Sequence, residues 1–209
     1  MSDYLMPKTN GVHEVIIDKS RFICHVRRVT SIEEANKYID EIKKEHAKAN
    51  HNCVAYQIGP QNEIQRAFDD GEPTGTAGIP MLDVLRRQDI RNCLIVVTRY
   101  FGGIKLGAGG LIRAYGNVTS AGIKAVGLVR RFKLQRLHLS CDYPLFDRLQ
   151  SKIKNKGGVI HDVQYSDRIK MEVLVEVAEV ETFIDWMVDM TNRNVVPVVG
   201  DYIYQEVLV

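Results

Sequence analysis

The chain has 209 residues, of which 45% are hydrophobic and 26% charged, with a formal net charge of +2. This is the balance of a globular protein with a real core, long enough for one large domain or two small ones. No apolar run reaches the roughly 18 residues a transmembrane helix needs, and Met1–Lys8 lacks a basic segment followed by an apolar one, so no secretory signal is expected. Cys24, Cys53, Cys93 and Cys141 are scattered and form no C-x-x-C pair. They read as buried free thiols of a reducing cytoplasm. Residues 1–131 carry 19 Lys and Arg against 14 Asp and Glu, and residues 132–209 carry nine against 12. The basic front half permits an anionic partner without demanding one.

His13–Val29 is rich in Val and Ile around Asp18-Lys19-Ser20 and predicts a hairpin. Ser31-Ile32-Glu33-Glu34 has the form of a capping box, and Ala35, Tyr38, Ile39 and Ile42 follow at helical spacing. Cys53–Ile58 and Ile64–Phe68 predict two strands joined by a turn at Gly59–Asn62. Asp69–Gly78 is too rich in Gly and Pro to be regular, and Pro80 suits the start of a short helix carrying Met81, Leu82 and Leu85. Cys93–Thr98 is an unbroken apolar run, as expected of a strand buried on both faces. Leu111, Tyr115, Val118, Gly122 and Ala125 then mark one face of a helix. Gly116 and Gly122 weaken that helix and suggest the close approach of a neighbouring backbone. Beyond residue 130 the order changes to strand (Phe132–Cys141), helix capped by Asp142, hairpin (Val159–Tyr165 and Ile169–Val177), helix (Val180–Met190) and strand (Val195–Val209). This βαββαβ order is the ferredoxin-like pattern. The predicted domains are 1–130 and 131–209.

The segment Arg99–Arg113 stands between the buried strand and the long helix. Its spacing fits neither a Walker loop nor a dinucleotide fingerprint. Gly102, Gly103, Gly107, Gly109 and Gly110 free the backbone to turn and to present amides. A helix N-terminus there carries about half a positive charge. With Arg99, Lys105 and Arg113 these residues form a candidate anion or nucleic-acid site; close helix–strand packing explains the same glycines equally well. Asp69, Asp70 and Glu72 offer three carboxylates in four positions. They could hold Mg²⁺, but they could also cap loop amides or pair with Arg99 and Arg113, and the structural role is preferred because Asp is common in turns. His51 and Cys53 share one strand face, yet no third orienting residue accompanies them and a packed thiol is the simpler reading.

Three segments in order resemble the successive signatures of the IMPACT/YigZ family. They are His51-Asn52-Cys53-Val54-Ala55-Tyr56, Asp69 through Pro80, and Arg99 through Tyr115. The resemblance covers about residues 13–128, and the βαββαβ tail is similar to the C-terminal domain of bacterial members. It implies an α+β protein whose N-terminal domain resembles the second domain of a small-subunit ribosomal protein and domain IV of elongation factor G. A ferredoxin-like C-terminal domain would follow. His51, Cys53 and Tyr56 are then family-motif residues. The implied role is a cytoplasmic, non-enzymatic, RNA- or ribosome-associated factor linked to translation regulation, with no catalytic residue, metal or cofactor assigned. One alternative is an enzyme binding a phosphorylated small molecule between Asp69–Glu72 and Gly102–Arg113. The other is a protein-interaction module working through the C-terminal domain. No membrane partner is expected, and the sequence does not define an oligomeric state.

Overall fold

The computed structural model describes residues 3–209. The chain divides into two compact units, one holding Tyr4–Arg130 with Val207–Val209 and the other Arg131–Glu206.

The first unit is built on a five-stranded antiparallel sheet. In chain order its strands are β2 (Gly11–Ile17), β3 (Ser20–Arg28), β4 (His51–Ile58), β5 (Ile64–Phe68) and β6 (Cys93–Tyr100), and in space they run β2-β3-β6-β4-β5. The hairpin turn between β2 and β3 is the predicted one, with Asp18 and Lys19 at φ +44° and +63°, the two-residue left-handed form that matches strand twist. In the centre, β6 is buried on both faces, as its apolar run predicts. Cys93, Ile95 and Val97 enter one core with Phe22, Cys24, Cys53, Met81, Leu85 and Tyr115, while Leu94 and Val96 enter another with Val29, Ala35, Ile42 and Tyr56. The period of two along a strand sends alternate side chains to opposite faces. Each aliphatic side chain so buried contributes about 1.5–3 kcal/mol relative to exposure.

Helix α1 (Ile32–Glu45) covers the second of these faces. Its cap is the predicted Ser31, whose Oγ accepts from the Glu34 amide at 3.2 Å. Glu34 reaches back one residue further than a capping box requires, its carboxylate accepting from the Thr30 amide at 2.8 Å. The first face is covered by α2 (Gly78–Arg87) and α3 (Gly107–Val126). Gly122 of α3 packs against β3, where a Cβ would fall 2.4 Å from Cys24 Sγ. The expected backbone approach is thus a side-chain contact. At Gly116 there is no close approach at all, because a Cβ would meet nothing within 4 Å.

One strand went unread in the sequence. β1 (Tyr4–Pro7) pairs with β7 (Leu128–Cys141), and Tyr4, Met6 and Val129 form a small buried cluster. The Tyr4 hydroxyl accepts from Asn92 Nδ2 at 2.9 Å.

The second unit follows the predicted order: β7, α4 (Tyr143–Asn155), β8 (Val159–Tyr165), β9 (Ile169–Glu176), α5 (Val180–Met190) and β10 (Val198–Leu208). β9 lies between β7 and β8, and β10 pairs β7, so the spatial order is β10-β7-β9-β8. That is the ferredoxin-like arrangement the element order implied. Asp142 caps α4 through the Leu145 amide at 3.1 Å. Phe146, Leu149 and Ile153 of α4 join Phe183 and Met187 of α5 over Leu137, Leu139, Met171 and Val173. β7 begins at Leu128, four residues ahead of the strand predicted from Phe132. β10 starts three residues later than predicted, because Val195 is buried and its amide donates to Thr191 Oγ1 at 3.1 Å.

Candidate functional site

The end of β6 delivers the site. Counting on from Val97, strand alternation turns Arg99 toward α2 and α3, and its cross-strand neighbours are Phe22 on β3 and His51 on β4. Tyr115 of α3 lies over this row, packed edge-on against Phe22 at 5.5 Å. The loop 69–77 folds over the same place and contributes Glu72.

Each of the three loop carboxylates has a different internal task. Asp69 accepts from the amides of Gly75, Ala77 and Gly78 at 2.8, 3.0 and 2.8 Å, and so occupies the N-terminus of α2 with negative charge. Burial works against ionisation of Asp69, but these backbone hydrogen bonds outweigh it and hold the carboxyl below its ordinary range. Asp70 accepts from Lys43 Nζ at 2.9 Å and from the Asn52 amide at 2.6 Å. Glu72 is almost fully buried, and its Oε1 accepts from Arg99 Nη1 and from the Tyr115 hydroxyl, both at 2.7 Å. Its other oxygen lies 3.8 Å from His51 Nε2. Of the two arginines offered as partners for the acidic loop, Arg99 alone meets it. Arg113 is exposed and faces the groove between α2 and α3, beside Arg87 and Gly116.

Cys53 Sγ lies 3.0 Å from the Asp69 carbonyl oxygen and 3.3 Å from the Tyr115 hydroxyl oxygen. Burial pushes its thiol up to about 12, the opposite of what an attacking thiolate needs. Burial, with Cys53 and Glu72 alongside, also raises the Tyr115 phenol, which stays a donor to Glu72. His51 Nδ1 sits 2.9 Å from the Asp70 carbonyl oxygen, while Tyr56 lies on the α1 side of the sheet, away from the cleft. Among the described residues no three His, Cys, Asp or Glu side chains form a group that could hold a metal ion.

Above this network lies a cleft of about 290 Å³, lined by Glu72, Pro73, Arg99, Phe101, Lys105 and the first turn of α3. The glycine segment supports it in two ways. Gly102 passes so close to the β2–β3 turn that a Cβ would lie 1.9 Å from the Lys19 carbonyl oxygen, and Gly103 and Gly107 take φ of +89° and +68°. Gly109 and Gly110 are inside α3, in a first turn with no side-chain cap and no acidic residue. Gly107, Ala108 and Gly109 are exposed. A Cβ on Gly109 would touch only the Arg113 guanidinium, at 3.7 Å. Packing therefore explains Gly102 but not Gly109. Lys105 is exposed beside this turn and makes no ion pair among the described residues. Sequence reasoning passed over Tyr115, Ser20 and Phe101 as site residues. An aromatic two residues beyond a strand arginine, at the start of a glycine loop, was the available signal for Phe101.

Comparison with known proteins places this geometry. The Impact N-terminal domain matches residues 18–123 and a domain of unknown function, DUF1949, matches residues 139–192. The chain is 46% identical over 192 residues to the IMPACT family member YvyE of Bacillus subtilis, covering 92% of this chain and 88% of that one. This chain belongs to the IMPACT family. Its likeness to the IMPACT family member YigZ of Escherichia coli is 33% over 93% of this chain and 96% of that protein. A crystal structure of a hypothetical protein superposes with a TM-score of 0.62 at 30% identity, covering 96% of this chain and 98% of the other. The family's two domains thus account for both units, and the cleft lies wholly within the matched IMPACT domain.

Proposed function

We propose that this IMPACT-family chain is a cytoplasmic RNA- or ribosome-associated factor linked to translation, and that it binds the phosphodiester backbone at the start of α3. One observation carries the reading: the first turn of a 20-residue helix is left uncapped, free of acid and built from Gly107, Ala108, Gly109 and Gly110, with Lys105 beside it. Free amides, the positive end of the helix dipole and an unpaired cation together make an anion site. The room left around Gly109 lets a phosphate reach the backbone. An enzyme acting through a loop-bound Mg²⁺ is less well supported, because Asp69, Asp70 and Glu72 are all engaged inside the protein.

Sedimentation of cell lysate through a gradient, with and without RNase, tests the reading. The protein is expected to travel with ribosomal or other RNA-containing particles and to be released by RNase or high salt, since phosphate contacts are salt-sensitive. Lys105→Glu is expected to shift it toward the top of the gradient. Free migration of the unaltered protein at low salt would refute the proposal.

A further inference from the structure

Two features of the cleft are left unused by a phosphate at α3. Phe101, the first residue after β6, is 45% exposed and lines the cleft. The Arg99 guanidinium lies against its ring, 5.6 Å from the centroid, and the Phe101 amide donates to Asn50 Oδ1 at 2.8 Å. Backbone and ring are thus both held in place, with aromatic surface still open to solvent. The second feature is Arg99 itself. Its side chain is 6% exposed and bonded to Glu72 through Nη1, yet its buried Nε–H has no acceptor in the protein. A buried donor of a charged group is costly to leave unmade, and Arg99 forms part of the cleft wall.

We infer that the cleft takes a single-stranded segment of RNA, with one phosphate on the first turn of α3 and an adjacent unpaired base stacked on Phe101. The inference rests on the RNA reading above and deepens it. Bases stack on aromatic side chains when they are unpaired and splayed outward, whereas in a duplex both faces of each base are already covered. Arg99, whose guanidinium backs the Phe101 ring and is itself tied to Glu72, holds that stacking surface in place. A ring already backed by a guanidinium and fixed at its own amide loses little freedom when a base covers it, which favours a stacking role.

The test is fluorescence anisotropy of the full chain with a labelled, mixed-sequence oligonucleotide of about 15 residues, within the span such proteins cover. It is offered as single-stranded RNA, as single-stranded DNA and as duplex RNA, across a salt series. Single-stranded RNA is expected to bind more tightly than the duplex. Phe101→Ala should weaken it by about five- to 150-fold with the salt slope unchanged, the range measured for losing one base–aromatic stack, while Phe101→Trp should keep binding. Lys105→Glu should weaken every probe and flatten the slope by about 0.7 for the lost phosphate contact. Both positions are exposed, and an unchanged melting curve shows that the variants are folded. Wild-type affinity in Phe101→Ala, or equal affinity for the duplex, overturns the stacking inference even if Lys105→Glu behaves as stated. Equal affinity for the DNA strand overturns the assignment to RNA. If no probe shows salt-dependent binding, the RNA reading itself falls and this inference with it.

Discussion

Glu72→Gln gives the most direct test of how the site is held. The substitution keeps the shape of the side chain and one acceptor oxygen but removes the negative charge. Arg99 would then be a guanidinium with a 6% exposed side chain, held by a neutral amide oxygen in place of the carboxylate and by Ser20 Oγ at 3.4 Å. Breaking a buried ion pair by removing one partner typically costs about 3–5 kcal/mol, because an uncompensated charge stays behind. The amide still accepts one hydrogen bond, so a loss near the lower end, about 2–3 kcal/mol, is expected. The double variant Glu72→Gln/Arg99→Met removes both charges and should be no less stable than Glu72→Gln, so that the coupling is at least as large as the cost of Arg99→Met alone. The lone tryptophan, Trp186, lies on α5 and reports the second unit. The measurement is therefore amide hydrogen exchange of β4 and β6, whose slowest protons are released by unfolding of the first unit. A loss below about 1 kcal/mol in Glu72→Gln would show that water in the cleft solvates Arg99 and that the pair is not the anchor argued here.

Other outcomes follow from the same structure. Gly102→Ala should destabilise the first unit by roughly 3 kcal/mol or more, since its Cβ would enter the Lys19 backbone and the turn would have to move; Gly109→Ala should instead add up to about 1 kcal/mol by helix propensity while weakening RNA binding, both read from denaturant melts beside anisotropy. His25 is buried, and neither ring nitrogen has a hydrogen-bond partner; burial, then His46 and Arg27, lower it from 6.5 to about 4. Its unfolded form binds the proton more readily, so stability is complete above about pH 6.5 and falls by up to about 3 kcal/mol toward pH 4; urea melts across that range check this, and His25→Leu should flatten the response. All four thiols are buried and raised, Cys24 and Cys53 to about 12, so a disulfide-exchange reagent at pH 8 should label the native chain only as fast as it opens.

The elements legible in the sequence are those whose pattern is local. β6 announced itself as an apolar run, α1 by its Ser31 cap and spacing, and the second unit by the order of its elements. β1 escaped because four residues ending in Pro7 carry no period, and the strand exists through its pairing with β7. In the site, the residues were legible but their partners were not. Asp69, Asp70 and Glu72 look equivalent in a row, yet a tight turn sends one to the α2 amides, one to Lys43 and one into the core. Arg99 and Arg113 close the same motif, but one ends a strand facing α3 and the other stands on α3 facing α2. The glycines split in the same way, Gly102 answering to a neighbouring backbone and Gly109 to no neighbour, a distinction only tertiary packing makes.

The placement of Arg99 on β6 also bears on how fast and how selectively the cleft can work. β6 is the central strand, hydrogen-bonded on both sides and enclosed by two cores, the part of a fold that opens least often. A wall hung from that strand cannot reshape itself around a visitor. If the cleft takes RNA as proposed, adjustment is left to the loop 101–106 and to the RNA, and discrimination would come by fit in the first encounter rather than by slow closure.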